Sequence, residues 1–287
     1  MAVRERTWRR WTGPLTSERW RFIVIARYAL QGTFTSRIFL AFYVLSLVPS
    51  ILALLAVYLS HNTTLIQQVA ELSDWLAGVP DWIFVHLFLM QALPAFLVAV
   101  VVAPPLVAAD IAHNALVLVL SRPIRRGEYV LGKLLALMTI LSPLTWIPAM
   151  AVVLLQVLLG GGVWLAKNPH IAPAYLIGHW VWMLTISLLG LAVSAWVRHA
   201  AIARGAILAV LAISSVVAGM VNTVTRSSIG DLIHVFRAME SIVRTLFGAS
   251  STSGLPVAAN WGTVVAVSLL SLWILHRKLR ACEEVGG

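Results

Sequence analysis

Residues 110–133 read DIAHNALVLVLSRPIRRGEYVLGK, a charged bend between two long apolar runs near the middle of a 287-residue chain. Arg122, Arg125, Arg126 and Lys133 stand there against Asp110 and Glu128. The flanking runs are apolar enough to cross a membrane, and a basic connector between two spans belongs on the cytoplasmic side. Composition agrees with that setting. The chain is 60% hydrophobic and 11% charged, with a mean hydropathy of +0.90, whereas a soluble chain carries about a quarter charged residues. These values predict an all-α, polytopic membrane protein.

Working outward from the bend, the apolar runs predict six transmembrane helices over residues 38–59, 82–109, 129–159, 174–197, 205–221 and 257–275. Each is close to or above the ~20 residues needed to cross a hydrocarbon core. Three regions follow: a tail and interfacial helix at 1–37, a six-span domain at 38–276, and a C-terminal tail at 277–287. Within the first, Ile23, Ala26, Leu30 and Phe34 recur at helical spacing and predict a helix lying in the interface, with Thr16 or Ser17 as its cap. The apolar run after residue 37 is too long for a signal-peptide core and lacks a small-residue cleavage site.

Charge sets the expected orientation. Seventeen of the 21 Lys and Arg residues fall in residues 1–37, in the bend, in the turn carrying Arg198 and Arg204, or at Arg277, Lys278 and Arg280. The other four are Lys167, Arg226, Arg237 and Arg244. The segment from Ser60 to Asp81 has no cation at all. This bias predicts both termini in the cytoplasm. Residues 222–256 carry a different pattern. Leu232, Val235, Phe236, Met239, Ile242, Val243 and Leu246 repeat at three and four, with Asp231, Arg237, Glu240 and Arg244 on the other face. That predicts an amphipathic helix between spans five and six, at the outer interface or re-entering partway.

Prolines predict the breaks. Pro104-Pro105 should end or bend span two, and Pro143 and Pro148 should kink span three. Pro123 disfavours helical geometry at Arg122 yet suits the first turn of a new helix, so the bend reads as two short helices with a rigid joint. Asp110 is expected to cap that helix or to pair with an arginine of the bend, because an unpaired charge near membrane depth is costly.

Several chemistries are excluded. The basic residues flank apolar runs instead of forming a nucleic-acid face. Gly127–Lys133 satisfies G-x-x-x-x-G-K, but Leu134 stands where a phosphate-binding loop needs Ser or Thr for magnesium. No H-E-x-x-H occurs, and acids are nearly absent from the spans. Cys282 is the single cysteine. His86 and His179 could in principle ligate haem, but read better as polar handles near an interface, as do the tryptophans near predicted helix ends. The expectation is no catalytic residue, no cofactor and no metal. The few polar residues in the spans, Ser142, Thr145, Gln156, Thr185, Ser187, Ser214 and Ser215, point to an apolar or amphiphilic cargo.

The run Ala109-Asp110, then Leu118-Val119-Leu120-Ser121-Arg122-Pro123-Ile124-Arg125-Arg126, then Glu128 to Leu134, resembles the permease subunits of type-2 ABC exporters. Six spans, an N-terminal interfacial helix and an amphipathic outer segment before the last span extend the resemblance over nearly the whole chain. It implies a non-enzymatic subunit of the cytoplasmic (inner) membrane, paired with a second permease copy or paralogue and driven by two copies of a separate ABC ATPase. It also implies a cytoplasmic coupling helix between spans two and three. Asp110, Ser121, Arg122, Pro123, Arg125, Arg126, Glu128 and Lys133 are the ATPase-coupling candidates, with the arginines facing ATPase carboxylates and Glu128 a reciprocal pair. The basic groups would also meet anionic membrane lipid. The alternative is a mechanotransmitting anchor that works on an extracytoplasmic partner through residues 222–256 without moving a substrate.

Overall fold

A computed structural model of the chain describes residues 20–34, 36–62, 82–112, 124–197 and 199–284. Every regular element among them is helical: α1 (Arg21–Thr33), α2 (Arg37–Leu45), α3 (Val48–His61), α4 (Trp82–Ala112), α5 (Arg126–Leu141), α6 (Trp146–Lys167), α7 (Ile171–Ser194), α8 (Ala200–Thr225), α9 (Val235–Leu246) and α10 (Val257–Glu284). Six stretches are long and apolar enough to cross a membrane: Phe39–His61, Ile83–Ala112, Arg126–Lys167, Ile171–Ser194, Ala200–Thr225 and Val257–Arg280. That number and order match the sequence expectation of a multi-pass membrane protein.

The helices α7 and α4 form the interior. About 61% of the most apolar window of each is buried, against 17–28% in the other spans. α7 touches α4, α5, α6, α8, α9 and α10. Lipid tails are as apolar as leucine, so close packing and hydrogen bonds hold membrane helices together. Gly190 of α7 supplies the close packing: a Cβ there would lie 2.9 Å from the Ala103 Cβ of α4. Hydrogen bonds tie the spans crosswise. The Tyr175 hydroxyl donates to the Phe84 carbonyl at 2.7 Å, the Tyr43 hydroxyl to the Ile140 carbonyl at 2.7 Å, and Gln91 Nε2 to Ser50 Oγ at 2.8 Å.

Five expectations need correction. Span two does not end at Pro104-Pro105, because α4 runs on to Ala112 with Pro94, Pro104 and Pro105 inside it. Prolines are tolerated where neighbouring helices and local adjustment re-satisfy the backbone. Asp110 is therefore in the last turn of α4. Span one is broken at Ser46-Leu47, between α2 and α3, where Pro49 begins the second piece. Span three breaks at Ser142–Leu144, a 3-10 turn containing Pro143, but Pro148 sits in the first turn of α6 and does no damage, because first-turn N–H groups have no intrahelical acceptor. The predicted loop from Gly160 is helical to Lys167, interrupted only at Gly161, whose φ of 71° favours glycine. Finally, the helix of span six does not stop at Leu275, because α10 runs on to Glu284 and carries Arg277, Lys278 and Arg280. Arg277 lies over the Trp273 ring and Lys278 over the Trp196 ring.

Candidate functional site

The bend is built on α4 and α5. Its middle, residues 113–123, including Ser121, Arg122 and Pro123, lies outside the described residues, as do Thr16 and Ser17. Its two ends are fastened to each other. Tyr129 and Lys133 are four residues apart on α5 and so share a face. The Tyr129 hydroxyl donates to Asp110 Oδ2 at 2.7 Å, and Lys133 Nζ lies 2.8 Å from the same oxygen. Tyr129 is 1% exposed, and the Lys133 and Asp110 side chains 11% and 25%. Lysine and carboxylate thus neutralise one another at a site where either alone would be expensive. Asp110 accordingly pairs with a lysine of the bend. The G-x-x-x-x-G-K match falls on helix, and its lysine is occupied by this pair.

At the start of α5 the Glu128 carboxylate accepts the backbone N–H of Arg125 at 2.9 Å, so it closes the first turn of its own helix. An acid in that position also suits the helix dipole. Arg125 is exposed and Arg126 half-buried, next to the residues 113–123 that complete the bend. Of the eight residues singled out in the sequence, the structure brings Asp110 and Lys133 together, places Arg126 and Glu128 in the first turn of the following helix and Arg125 at its N-cap.

The helix α1 completes this end of the bundle by lying on α5. Gly132 makes that approach possible: a Cβ there would stand 2.7 Å from the Ile25 Cβ and 2.8 Å from the Phe22 carbonyl oxygen. The residues of α1 that pack inward are Ile25, Ala26, Ala29 and Leu30; of the expected stripe Ala26 and Leu30 hold this place, whereas Ile23 and Phe34 are exposed. The residues that sequence reasoning missed here are Tyr129 and Gly132. Their signal was the i, i+4 spacing of Tyr129 and Lys133 and a glycine one position before the lysine.

At the opposite end, the apolar face of α9 is buried against α10, α7 and α4. Phe247 contacts Tyr175 near the start of α7, while Phe236, at the other end of α9, contacts Phe96, fourteen residues into α4. The helix therefore descends alongside the spans. Asp231, 3% exposed, holds the turn before it through Asn222 Nδ2 at 2.8 Å and Arg237 at 2.7 Å. A second polar knot joins α9 to α10: Asn260 Nδ2 donates to Ser241 Oγ and Ser253 Oγ, both at 2.9 Å. His234 Nδ1 accepts the Arg237 N–H at 3.1 Å and caps α9. Burial, reinforced by Arg237, lowers the His234 pKa below its usual value.

Ser142, Thr145, Thr185 and Ser214 each donate to a carbonyl of their own helix, one turn back. His86 is exposed, whereas His179 is buried, flanked by Phe88 and Tyr175 and bonded through Nδ1 to the Tyr175 carbonyl. His86 and Phe88 point about 200° apart around α4, so the two histidines do not share a site.

No protein-family model matches the chain, and a search of the curated proteins gives no match.

Proposed function

We propose that this chain is the transmembrane permease subunit of a type-2 ABC exporter, working as a pair with a second copy or a paralogue and driven by two copies of a separate ATPase. The observation that carries the reading is the clasp at the ends of the bend. Because Asp110 is fastened to Tyr129 and Lys133, α4 and α5 cannot separate at this end without breaking a buried ion pair. A push on the connector between them would move both helices together. α4 and α5 both pack on α7, so displacement of the bend would reach the interior of the bundle. Rigid elements with two packed arrangements are the usual carriers of such motion.

In this mechanism the chain hydrolyses nothing. Arg122, Arg125 and Arg126 are the groups that meet ATPase carboxylates on the cytoplasmic side. Glu128 orders the first turn that presents Arg125. Lys133 and Asp110 transmit force and do not touch the partner. α9 and the turn before it form the external cover, and the apolar groove between Phe88, Phe96, Trp182 and Met239, with Glu240 at its side, suits an amphiphilic cargo.

The test is co-purification of the chain with its cognate ATPase, comparing wild type with Arg125→Glu/Arg126→Glu. Charge reversal is expected to abolish retention of the ATPase while the membrane subunit stays folded. Equal retention, with equal transport-coupled ATP hydrolysis, overturns the assignment.

A further inference from the structure

We infer that the chain carries a binding site for one anionic phospholipid, between α1, α2, α4, α5 and α8. A cavity of about 420 Å³ lies there, within the ~300–1,000 Å³ range of small-ligand sites. Its wall along α4 is apolar, made by Val101, Val102, Pro105 and Leu106, and Phe39 of α2 continues it. Two cations, Lys133 and Arg204, line the same space. They differ in one respect. Lys133 is already neutralised by Asp110. Arg204 makes no ion pair among the described residues, and its Nε is buried without a hydrogen-bond partner.

Arg204 as a whole is half-buried and lines the cavity, and an unpaired guanidinium beside an apolar wall favours an anionic partner. A ligand that fits this cavity offers Arg204 an anionic group and covers the apolar wall. A phospholipid phosphate meets both conditions, since guanidinium binds phosphate oxygens in a fork while acyl chains cover the wall. The level is also right. Leu106 lies one turn before Asp110, and Lys133 and Arg204 sit near the starts of their helices, so the cations stand close to where apolar spans end. Gly32, Thr33 and Ser36 also line the cavity and add small groups to it. The inference does not rest on the permease reading: it requires only that this bundle is in a bilayer.

The test uses the full chain purified in mild detergent, titrated with phosphatidylglycerol, phosphatidylcholine or inorganic phosphate and read by native mass spectrometry. One phosphatidylglycerol per chain should bind more tightly than phosphatidylcholine. Arg204→Gln should weaken it about fivefold, the effect of one cation at a membrane surface, whereas Arg204→Lys should retain most of the binding. Val102→Trp, which fills the apolar part and leaves both cations, should weaken both lipids. Phosphate at millimolar concentration should not displace the lipid. Equal affinity for the two lipids, or Arg204→Gln binding like wild type, overturns the site. Displacement by inorganic phosphate overturns it too, because it would make this a free-anion site. Circular dichroism and size exclusion verify that each variant is folded.

Discussion

Lys133 Nζ lies 2.8 Å from Asp110 Oδ2, so a residue at the end of α4 is fixed to one in the second turn of α5 across the whole connector. Tyr129 donates to the same oxygen. Removing one partner of a buried pair leaves the other uncompensated, which costs ~3–5 kcal/mol when burial is complete. Here Asp110 is a quarter exposed, so the expected cost of Asp110→Ala is smaller, about 2 kcal/mol. Lys133→Met should cost a similar amount, and the double variant Asp110→Ala/Lys133→Met should be more stable than the sum of the two predicts. Thermal unfolding of all four proteins in one detergent measures this coupling. Strict additivity would show that the pair carries no load.

Gly132 governs how α1 seats on α5. A methyl group there would overlap Ile25 and the Phe22 carbonyl, and overpacking of this kind costs ~1–3 kcal/mol. Gly132→Ala is therefore expected to lift α1 without unfolding the spans. Limited trypsin digestion should then cleave at Arg27 several times faster than in wild type. Gly127→Ala is the control, since a Cβ at Gly127 meets nothing within 4 Å. Equal cleavage of all three proteins would show that α1 is not held by this contact.

His234 predicts a pH dependence. Its Nδ1 accepts the Arg237 N–H, and burial and then Arg237 lower its pKa, with Asp231 and Glu240 opposing. An unfolded histidine titrates near ~6.5. Between that value and the lower folded pKa, the unfolded state binds more protons, so stability falls as pH falls through the window. Above ~6.5 the cap contributes in full. Wild type should thus lose thermal stability between pH 7.5 and 5.5, and His234→Asn, which caps without titrating, should lose less over the same interval. Parallel losses in the two proteins would contradict the assignment.

The six spans were legible because each is a long run of apolar residues, and hydropathy reads that directly. Helix ends were less so. Pro104 and Pro105 looked like a bend or a terminus, and the terminus is not there: a membrane span re-satisfies the freed carbonyls through neighbours, and α4 continues to Asp110 and beyond. Lys133 read as an ATPase-coupling residue of the bend, and Asp110 as the partner of an arginine, because one-dimensional patterning does not show which cation Asp110 will reach. The amphipathic stripe of α9 was visible in its three-four repeat, whereas its descent beside α4 and α10 depends on contacts such as Phe236 with Phe96. Arg204 was counted only toward orientation; its unpartnered Nε is a property of packing. Of the coupling stretch implied by the family resemblance, residues 113–123 lie outside the described residues.

Cross-linking tests the central claim most directly. A photoreactive residue placed at Arg125, in membranes containing the cognate ATPase, should form a covalent adduct with that ATPase and yield it more strongly when nucleotide is present. The account is contradicted if position 125 cross-links only lipid, or if a membrane-impermeant label reaches it only from the external side.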